Sequence, residues 1–217
     1  MRGILFTGGE GPEPEKSRRF ALGADLIVAA DSGLLTTEAA GLRPDWVLGD
    51  MDSLGDLRRL ETYPPERVLT YIREKDYTDT ELAFSFLLEK GCDEIWLIGG
   101  GGGRIDHLFA IRSMFERDLC PRGWITASGE VYSLTGPEKL AFSLPAGALL
   151  SVFPLGAGPW DAESEGLKWP LNGLSWNRGF FGVSNEAETG GCSIRAAAGR
   201  FMIILPGENG PVSKTRG

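Results

Sequence analysis

The sequence predicts an α/β domain with a mostly parallel, Rossmann-like sheet, followed by an all-β sandwich domain. Short β-rich runs alternate with helix-type segments over roughly the first 130 residues, which is typical of a parallel sheet. Short apolar or alternating runs separated by glycine and proline fill the remainder, which indicates antiparallel strands. The pattern changes near Gly136-Pro137, so we place the domains at residues 1–136 and 137–217.

Most strands predicted in the first domain end at an aspartate or a glycine. They cover residues 3–8, Leu26–Ala30 before Asp31, Trp46–Leu48 before Gly49 and Asp50, Arg67–Ile72, and Ile95–Ile98 before Gly99–Gly103. Between them we predict a helix over Leu34–Ala40 and a helical turn over Asp56–Glu61. In open α/β sheets ligands bind beyond the carboxyl ends of the strands, so polar residues at these ends are candidate site residues.

An Asp-x-Asp sequence follows the third predicted strand. Asp50 and Asp52 are flanked by Gly49 and Ser53, which places two carboxylates at one strand end. Mg²⁺ is usually held by one or two carboxylates together with substrate phosphates, so the sequence is a candidate metal site. Gly, Asp and Ser also form ordinary surface turns, and these residues alone leave both interpretations open.

The helix predicted over residues 78–90 has a well-defined start. Thr78 and Glu81 match the capping box S/T-x-x-E, and Gly91 follows the helix. Asp79 lies in the first turn, where an acidic residue complements the helix dipole as readily as it serves as a ligand. The predicted apolar stripe consists of Leu82, Ala83, Phe86 and Leu87.

Five glycines, Gly99–Gly103, lead into Arg104, Asp106 and His107. A glycine-rich turn at a helix start lets backbone N–H groups approach phosphate, and Arg104 can bind phosphate through two nitrogens. Asp106 either binds a metal or orients Arg104, and a simple surface ion pair is the alternative. We predict that His107, the only histidine, caps the helix or enters the core. The apolar residues of this helical segment are Ile105, Leu108, Phe109 and Phe115.

The second domain is predicted to consist of short strands and a loose tail. The strands cover Val131–Leu134, Leu140–Leu144, Leu149–Phe153, Arg178–Val183, Cys192–Ile194 and Arg200–Leu205. Residues 207–217 are polar and show no periodicity, so we expect them to be poorly ordered.

Composition excludes several classes of function. The net charge of -8 argues against nonspecific nucleic-acid binding, which needs a basic surface. No apolar run approaches the length of a membrane span, and no signal peptide is evident. The 3 cysteines include no CxxC pair, so neither a zinc site nor a disulfide framework is indicated. We expect a cytoplasmic protein that binds neither nucleic acid nor membrane.

Five segments, in the same order and with similar spacing, resemble the thiamine pyrophosphokinase (thiamine diphosphokinase) family. They are Ala30–Gly33, Pro44–Ser53, Lys75–Ala83, Gly102–His107 and Ser184–Glu186, and Gly166–Leu171 adds a sixth. The resemblance implies an α/β catalytic domain followed by a β-sandwich. It also implies that Mg²⁺ is used and that the diphosphate group of ATP moves to the hydroxyl of thiamine, giving thiamine diphosphate and AMP.

The resemblance also assigns roles to residues. It makes Asp50, Asp52 and Asp79 the metal ligands and, with Arg104 and Asp106, the catalytic residues. The nucleotide-binding residues that it implies are Gly102, Gly103, Arg104 and His107, and the substrate-binding residues are Asp31, Ser184, Asn185 and Trp169. Trp169 either stacks on the substrate or is a core residue of the sandwich. We expect replacement of Asp52 by Asn to lower turnover at least ~100-fold.

The resemblance further implies a homodimer that binds ATP and thiamine at the subunit interface. Two alternatives stay open from the residues. One is a pyrophosphokinase that acts on another heterocyclic alcohol, such as a hydroxymethylpterin. The other is a noncatalytic protein that binds thiamine or nucleotide, although binding alone does not need so many mutually repelling acids.

Overall fold

A computed structural model of the chain describes residues 1–72, 76–188, 190–207 and 209–216. Lys75, which belongs to one of the segments with the family resemblance, lies outside these residues. The chain divides into two compact units, residues 1–114 with 123–127, and residues 115–122 with 128 onward. This division precedes Gly136-Pro137, where the sequence pattern changes.

The first unit contains the predicted parallel sheet. Its strands are β1 (Arg2–Thr7), β2 (Leu26–Ala30), β3 (Trp46–Gly49), β4 (Val68–Thr70), β5 (Glu94–Gly99) and β6 (Gly123–Ile125). Their spatial order is β6-β5-β1-β2-β3-β4, and every pairing between them is parallel. All carboxyl ends therefore lie along one edge of the sheet, and the order of the strands reverses between β1 and β5.

Four helices accompany this sheet within the described residues. They are α1 (Pro14–Ala21), α2 (Gly33–Ala39), α3 (Asp79–Glu89) and α4 (Ile105–Met114), with 3₁₀ turns at Leu57–Thr62 and Pro65–Arg67. The capping box at the start of α3 is confirmed, because Thr78 Oγ1 accepts from Glu81 N–H at 3.2 Å and Glu81 Oε2 accepts from Thr78 N–H at 3.0 Å.

The core of the first unit lies on both faces of the sheet. Ile4 and Phe6 of β1 are buried on one face, and Leu5 is buried on the other. The buried groups around Ile4, Phe6 and Ile98 and around Val47 and Leu34 both lie on the first of these faces, because the register aligns Phe6 with Ala29 and Ala29 with Val47. The apolar stripe predicted for α4 is wrong at two positions, since Ile105 is 67% and Phe109 is 65% exposed. The helix instead buries Ile111 and Met114, which lie on a different face.

The second unit consists of two antiparallel sheets, as the sequence predicted. Its strands are β7 (Gly129–Thr135), β8 (Glu138–Ser143), β9 (Leu149–Leu155), β10 (Asp161–Glu165), β11 (Gly182–Glu186), β12 (Gly191–Ala198), β13 (Arg200–Pro206) and β14 (Val212–Arg216). One sheet has the order β11-β9-β13-β7 and the other has the order β10-β12-β8-β14. Buried residues of both sheets, such as Leu140, Ile194, Val152 and Ile203, form the core of this unit.

The prediction of a loose tail is wrong. Residues 212–216 form β14, which pairs with β8 from Val212 opposite Phe142 to Arg216 opposite Glu138. The strand predicted over Arg178–Val183 is also wrong in its first four residues, because β11 begins at Gly182.

A buried ion-pair network, the Glu138 cluster, holds β14 in place. The Glu138 carboxylate is 5% exposed and lies 3.0 Å from Lys214 Nζ and 2.8 Å from Arg122 Nη2. The same carboxylate accepts a hydrogen bond from Thr135 N–H at 2.7 Å. The tail is therefore ordered by charge pairing as well as by strand pairing, and an apolar pattern in the sequence could not reveal this.

None of the helices in the described part of the chain has the length and apolar character needed to cross a membrane.

Candidate active site

A cavity of about 700 Å³ opens at the carboxyl edge of the parallel sheet, entirely within the first unit. Segments that follow β1, β2, β3 and β5 line it, together with the start of α3 and one face of α4. The predicted site residues that line it are Asp31, Asp50, Asp52, Asp79, Gly102, Gly103, Arg104 and His107. The cavity thus brings together the residues predicted at strand ends, which are Asp31, Asp50, Asp52 and the glycine run, with Asp79, Arg104 and His107.

Three of the aspartates form a compact group that we term the aspartate cluster. Asp31, Asp50 and Asp79 each offer one carboxylate oxygen, and these oxygens lie within 4.8 Å of one another. Asp31 follows β2, Asp50 follows β3, and Asp79 is the first residue of α3. All three side chains are partly buried, so the group lies in the wall of the cavity rather than on open surface.

The backbone around Asp31 is shaped to hold its carboxylate in the cluster. Asp31 has φ 48° and Met51 has φ 65°, both in the left-handed region that most residues avoid. The Met51 N–H donates to Asp31 Oδ1 at 3.0 Å. Gly49 has φ 146°, and a Cβ on it would lie 2.1 Å from Asp31 Oδ1, so only glycine fits beside this carboxylate.

Electrostatics make this cluster costly without a cation. Burial, the neighbouring Asp79 and, to a smaller extent, Asp50 raise the pKa of Asp31 to about 7, against the opposing hydrogen bond from Met51. Three oxygen donors at close range are the ligand set that a hard divalent cation such as Mg²⁺ takes, and a cation would relieve their repulsion. The residues present therefore fit a bound Mg²⁺.

Asp52 occupies a different position from its neighbour Asp50. Its side chain is exposed at the rim of the cavity, and its N–H donates to Asp50 Oδ1 at 3.2 Å. The three-carboxylate group contains Asp31 in the place that the sequence analysis gave to Asp52. The roles of both residues stay predictions.

A pair of threonines connects two walls of the cavity, and the sequence analysis did not identify it. Thr7 ends β1 and Thr80 is the second residue of α3, and their Oγ1 atoms lie 2.6 Å apart. This hydrogen bond ties the start of α3, and with it Asp79, to the central strand. Two isolated threonines 73 residues apart carry no sequence signal of such a contact.

The glycine run lies where the strand order reverses. Gly99, Gly100, Gly102 and Gly103 all have positive φ, so this loop turns through a conformation that other residues rarely adopt. Gly101 forms an antiparallel bridge with Glu10, whose N–H donates to Gly101 O at 2.7 Å while Gly101 N–H donates back at 2.8 Å. Glu10 also lines the cavity and was not singled out from the sequence.

Arg104 and Asp106 form an exposed two-nitrogen ion pair at the start of α4. Arg104 Nε and Nη2 lie 3.1 and 2.5 Å from the two carboxylate oxygens of Asp106, and this bonding raises the pKa of Arg104 and lowers that of Asp106. Of the two roles left open for Asp106, the geometry favours orienting Arg104. His107 is exposed at the cavity, so the prediction that it enters the core is wrong.

In the second unit, Asn185 supports the backbone of Trp169. Asn185 Oδ1 accepts from Trp169 N–H at 3.2 Å, and its Nδ2 donates to Trp169 O at 2.7 Å. The Trp169 ring is 51% exposed with Lys168 Nζ 4.7 Å from its centroid, which excludes the core alternative. Trp176, by contrast, is a buried tryptophan of this unit, at 8% exposure. Ser184 is also exposed and has φ 60°.

Two family models match the chain, and their ranges cover most of it. The model described as "Thiamin pyrophosphokinase, catalytic domain" matches residues 18–118. The model described as "Thiamin pyrophosphokinase, vitamin B1 binding domain" matches residues 137–200. The chain belongs to the thiamine pyrophosphokinase family. The resemblance drawn from the short sequence segments is thereby confirmed.

Individual members of the family agree with this assignment. The chain is 40% identical over 84 residues to a thiamine pyrophosphokinase of Bacillus subtilis (strain 168), a stretch that spans 38% of this chain and 39% of that protein. The crystal structure of thiamine pyrophosphokinase from Bacillus subtilis has a TM-score of 0.78 at 23% identity, covering 96% of this chain and 100% of that one. The structure from Geobacillus thermodenitrificans has a TM-score of 0.71 at 26% identity, covering 96% and 98%. These likenesses confirm the predicted fold class.

Proposed function

We propose that this chain transfers the diphosphate group of ATP to the hydroxyl of thiamine, giving thiamine diphosphate and AMP. The observation that carries the proposal is the aspartate cluster, which lies in a cavity at the strand ends and within the range of the catalytic-domain match. Diphosphoryl transfer needs positioning and charge neutralisation more than a covalent nucleophile, and a group of acidic side chains around a cation provides both.

The proposed reaction assigns a task to each wall of the cavity. The thiamine oxygen bonds to the β-phosphorus of ATP, the bond from that phosphorus to the α-phosphate oxygen breaks, and an aspartate of the cavity accepts the hydroxyl proton. Mg²⁺ held by Asp31, Asp50 and Asp79 would supply positive charge against the phosphate oxygens. Arg104, oriented by Asp106, binds phosphate oxygens. Gly102, Gly103 and His107 contact the nucleotide, and Asp52 positions substrate at the rim.

We propose that thiamine binds through the second unit. Trp169 presents its ring to solvent and would stack on the cationic ring of thiamine. Asn185 holds the backbone of Trp169 on both sides, so it positions this ring, and the exposed Ser184 hydroxyl is available to the substrate.

We propose a cytoplasmic location for the protein. The free thiols of all three cysteines fit the reducing conditions of that compartment.

We also propose a homodimer whose active sites lie at the subunit interface. β11 is an edge strand, and Phe181 and Val183 beside Ser184 are 57% and 53% exposed, which is the apolar character of a contact surface. Mixing inactive Asp50→Asn with Trp169→Ala protein tests this arrangement at low thiamine concentration. If each site uses both subunits, mixed dimers contain one intact site and activity returns; no recovery on mixing would place each site within one chain.

The reaction is tested with purified protein, ATP, Mg²⁺ and thiamine, scoring AMP and thiamine diphosphate together. Equal amounts of the two products are expected. AMP formation with a hydroxymethylpterin but not with thiamine would replace thiamine by another heterocyclic alcohol. Binding of both ligands without turnover would make the chain a noncatalytic binding protein.

A further inference from the structure

The crevice between β1 and β5 contains a carboxylate that is separate from the aspartate cluster. β2, β3 and β4 lie on one side of β1, while β5 and β6 lie on the other. Ligands of open α/β sheets bind in the crevice where the strand order reverses in this way. Glu10 and Gly101, in the segments that follow β1 and β5, are joined at this sheet edge by two backbone hydrogen bonds of 2.7 and 2.8 Å.

The Glu10 side chain lies against the glycine run and lines the cavity. A Cβ on Gly102 would lie 2.2 Å from Glu10 Cδ and 2.5 and 2.6 Å from its two oxygens. Glycine at position 102 therefore leaves the space that the Glu10 carboxylate occupies. Among the described residues, the carboxylates close enough to share a cation are Asp31, Asp50 and Asp79, and Glu10 is not one of them.

The chemistry of Glu10 restricts what binds beside it. An ionised carboxylate accepts hydrogen bonds and donates none, so it repels phosphate and pairs with O–H or N–H groups. ATP has such donors only in its nucleoside half, on the ribose hydroxyls and the amino group of adenine. Asp31 and Asp50 lie one and two strands away from β1 along the sheet edge, at about 5 Å per strand.

We infer that Glu10 accepts a hydrogen bond from the nucleoside half of ATP and so sets the direction in which ATP lies along the sheet edge. The nucleoside then occupies the β1–β5 crevice, and the phosphates extend toward the aspartate cluster beyond β2 and β3. Glu10 is a specificity-determining residue in this arrangement. The inference rests on the proposed use of ATP. It places the nucleoside, rather than a phosphate group, beside Glu10 and Gly102.

The test compares Glu10→Ala and Glu10→Gln with the control Glu13→Gln, a nearby exposed glutamate that does not line the cavity. Loss of a hydrogen bond to a charged group is expected to raise the KM for ATP about ten-fold or more in Glu10→Ala. The KM for thiamine and kcat stay near the values of the unmodified protein. Gln keeps an acceptor oxygen, so Glu10→Gln is expected to recover part of the loss. An unchanged KM for ATP, or a raised KM for thiamine instead, overturns the inference.

Nucleotide analogues identify the donor. 2′-Deoxy-ATP and 3′-deoxy-ATP lack one ribose hydroxyl each, and ITP lacks the amino group. The analogue without the recognised donor is expected to bind the unmodified protein more weakly and to lose nothing further in Glu10→Ala. If the loss from Glu10→Ala is the same with every analogue, Glu10 contacts none of these groups and the inference fails.

Calorimetry with α,β-methylene-ATP separates this inference from the proposed reaction. The analogue cannot transfer its diphosphate group, so its affinity reports nucleotide binding alone. A protein that makes no thiamine diphosphate but still loses affinity for the analogue in Glu10→Ala keeps the inference and loses the proposed function. Equal affinity in both proteins refutes the inference even if turnover is normal.

Discussion

The aspartate cluster holds partly buried carboxylates and the Glu138 cluster holds a fully buried one, and the pKa shifts of the two clusters have opposite directions. The aspartate cluster brings three acids together, and burial with the neighbouring acids raises the pKa of Asp31 to about 7. In the Glu138 cluster burial also raises the pKa, but the hydrogen bonds from Thr135, Arg122 and Lys214 outweigh it and the pKa is lowered. In the second arrangement, Arg122 and Lys214 supply the positive charge that compensates the carboxylate.

The two clusters therefore differ in role: the aspartate cluster has the character of a ligand site, and the Glu138 cluster stabilises the fold. A buried ion pair with all its partners present stabilises the local fold only as a complete set, because removing one partner leaves an uncompensated charge. Acids placed together repel one another, a bound cation can relieve this repulsion, and folding stability is lower as a result. Substitutions in the aspartate cluster should therefore lower activity, and substitutions in the Glu138 cluster should lower stability.

The largest effect is expected for Asp50→Asn. Removing one charge from the aspartate cluster should lower kcat about 1,000-fold, the upper scale for losing a key electrostatic group. The midpoint of thermal unfolding should stay the same or rise, because the repulsion falls. Steady-state kinetics and calorimetry check the two halves, with the exposed Asp118→Asn as control. A marked drop in the unfolding midpoint would make Asp50 a structural residue.

Glu138→Gln should show the reverse pattern. Loss of this charge leaves Arg122 and Lys214 facing each other and should lower the free energy of unfolding by about 3 kcal/mol, with kcat unchanged. Denaturant titration measures the change. The matched control is Glu163→Gln, whose exposed pair with Arg195 at 3.3 Å should contribute less than about 1 kcal/mol. Equal losses in the two variants would contradict the comparison.

Acid should remove the stabilisation that Glu138 provides. Its pKa in the folded chain lies below the ordinary value of 4.5, so the ionised form stabilises the fold above pH 4.5. This contribution is lost as the pH falls below 4.5 and through the lowered folded value. The difference in unfolding free energy between the unmodified protein and Glu138→Gln should therefore shrink between pH 5 and pH 3. A constant difference across this range would rule out the mechanism.

Asp52→Asn tests the boundary of the aspartate cluster and should have the smallest effect. The sequence alone led us to expect a loss of at least ~100-fold. Because Asp52 is exposed at the rim, the structure favours a smaller loss in kcat, of about 10-fold, or roughly 1.4 kcal/mol. A loss as large as that of Asp50→Asn would return Asp52 to the group of metal ligands.

Short sequence patterns predicted those elements whose formation depends on a few adjacent residues. The capping box of α3 and the β-rich run of β2 are visible in a few adjacent residues, and both elements formed where expected. Helix α1 was missed because it is short and polar and buries only Ser17 and Ala21. The last strand was missed for a similar reason, since Lys214 is partly buried through an ion pair rather than through apolar character.

The sequence located site residues only where it also located the end of a strand or helix. Asp31 and Asp50 could be placed at one sheet edge from the alternation of elements, and Asp79 was added by the family resemblance. The spacing that groups Asp31 rather than Asp52 depends on the turn at Gly49. Glu10 carried no signal, because its meeting with Gly102 follows from the pairing of segments about ninety residues apart. Trp169 and Trp176 were likewise indistinguishable until the loop held by Asn185 was known.

The strand order affects when catalytic activity returns as the chain folds. Helix α3 has its own capping box and local contacts, so it belongs to the class of elements that form within microseconds. The pairing of β1 with β5 joins Arg2 to Glu94, and closing such long stretches of chain is slow. The cavity forms only when helix α3 and the pairing of β1 with β5 are both present. Turnover should accordingly be the last property regained by a refolding chain, after helical circular dichroism has already recovered.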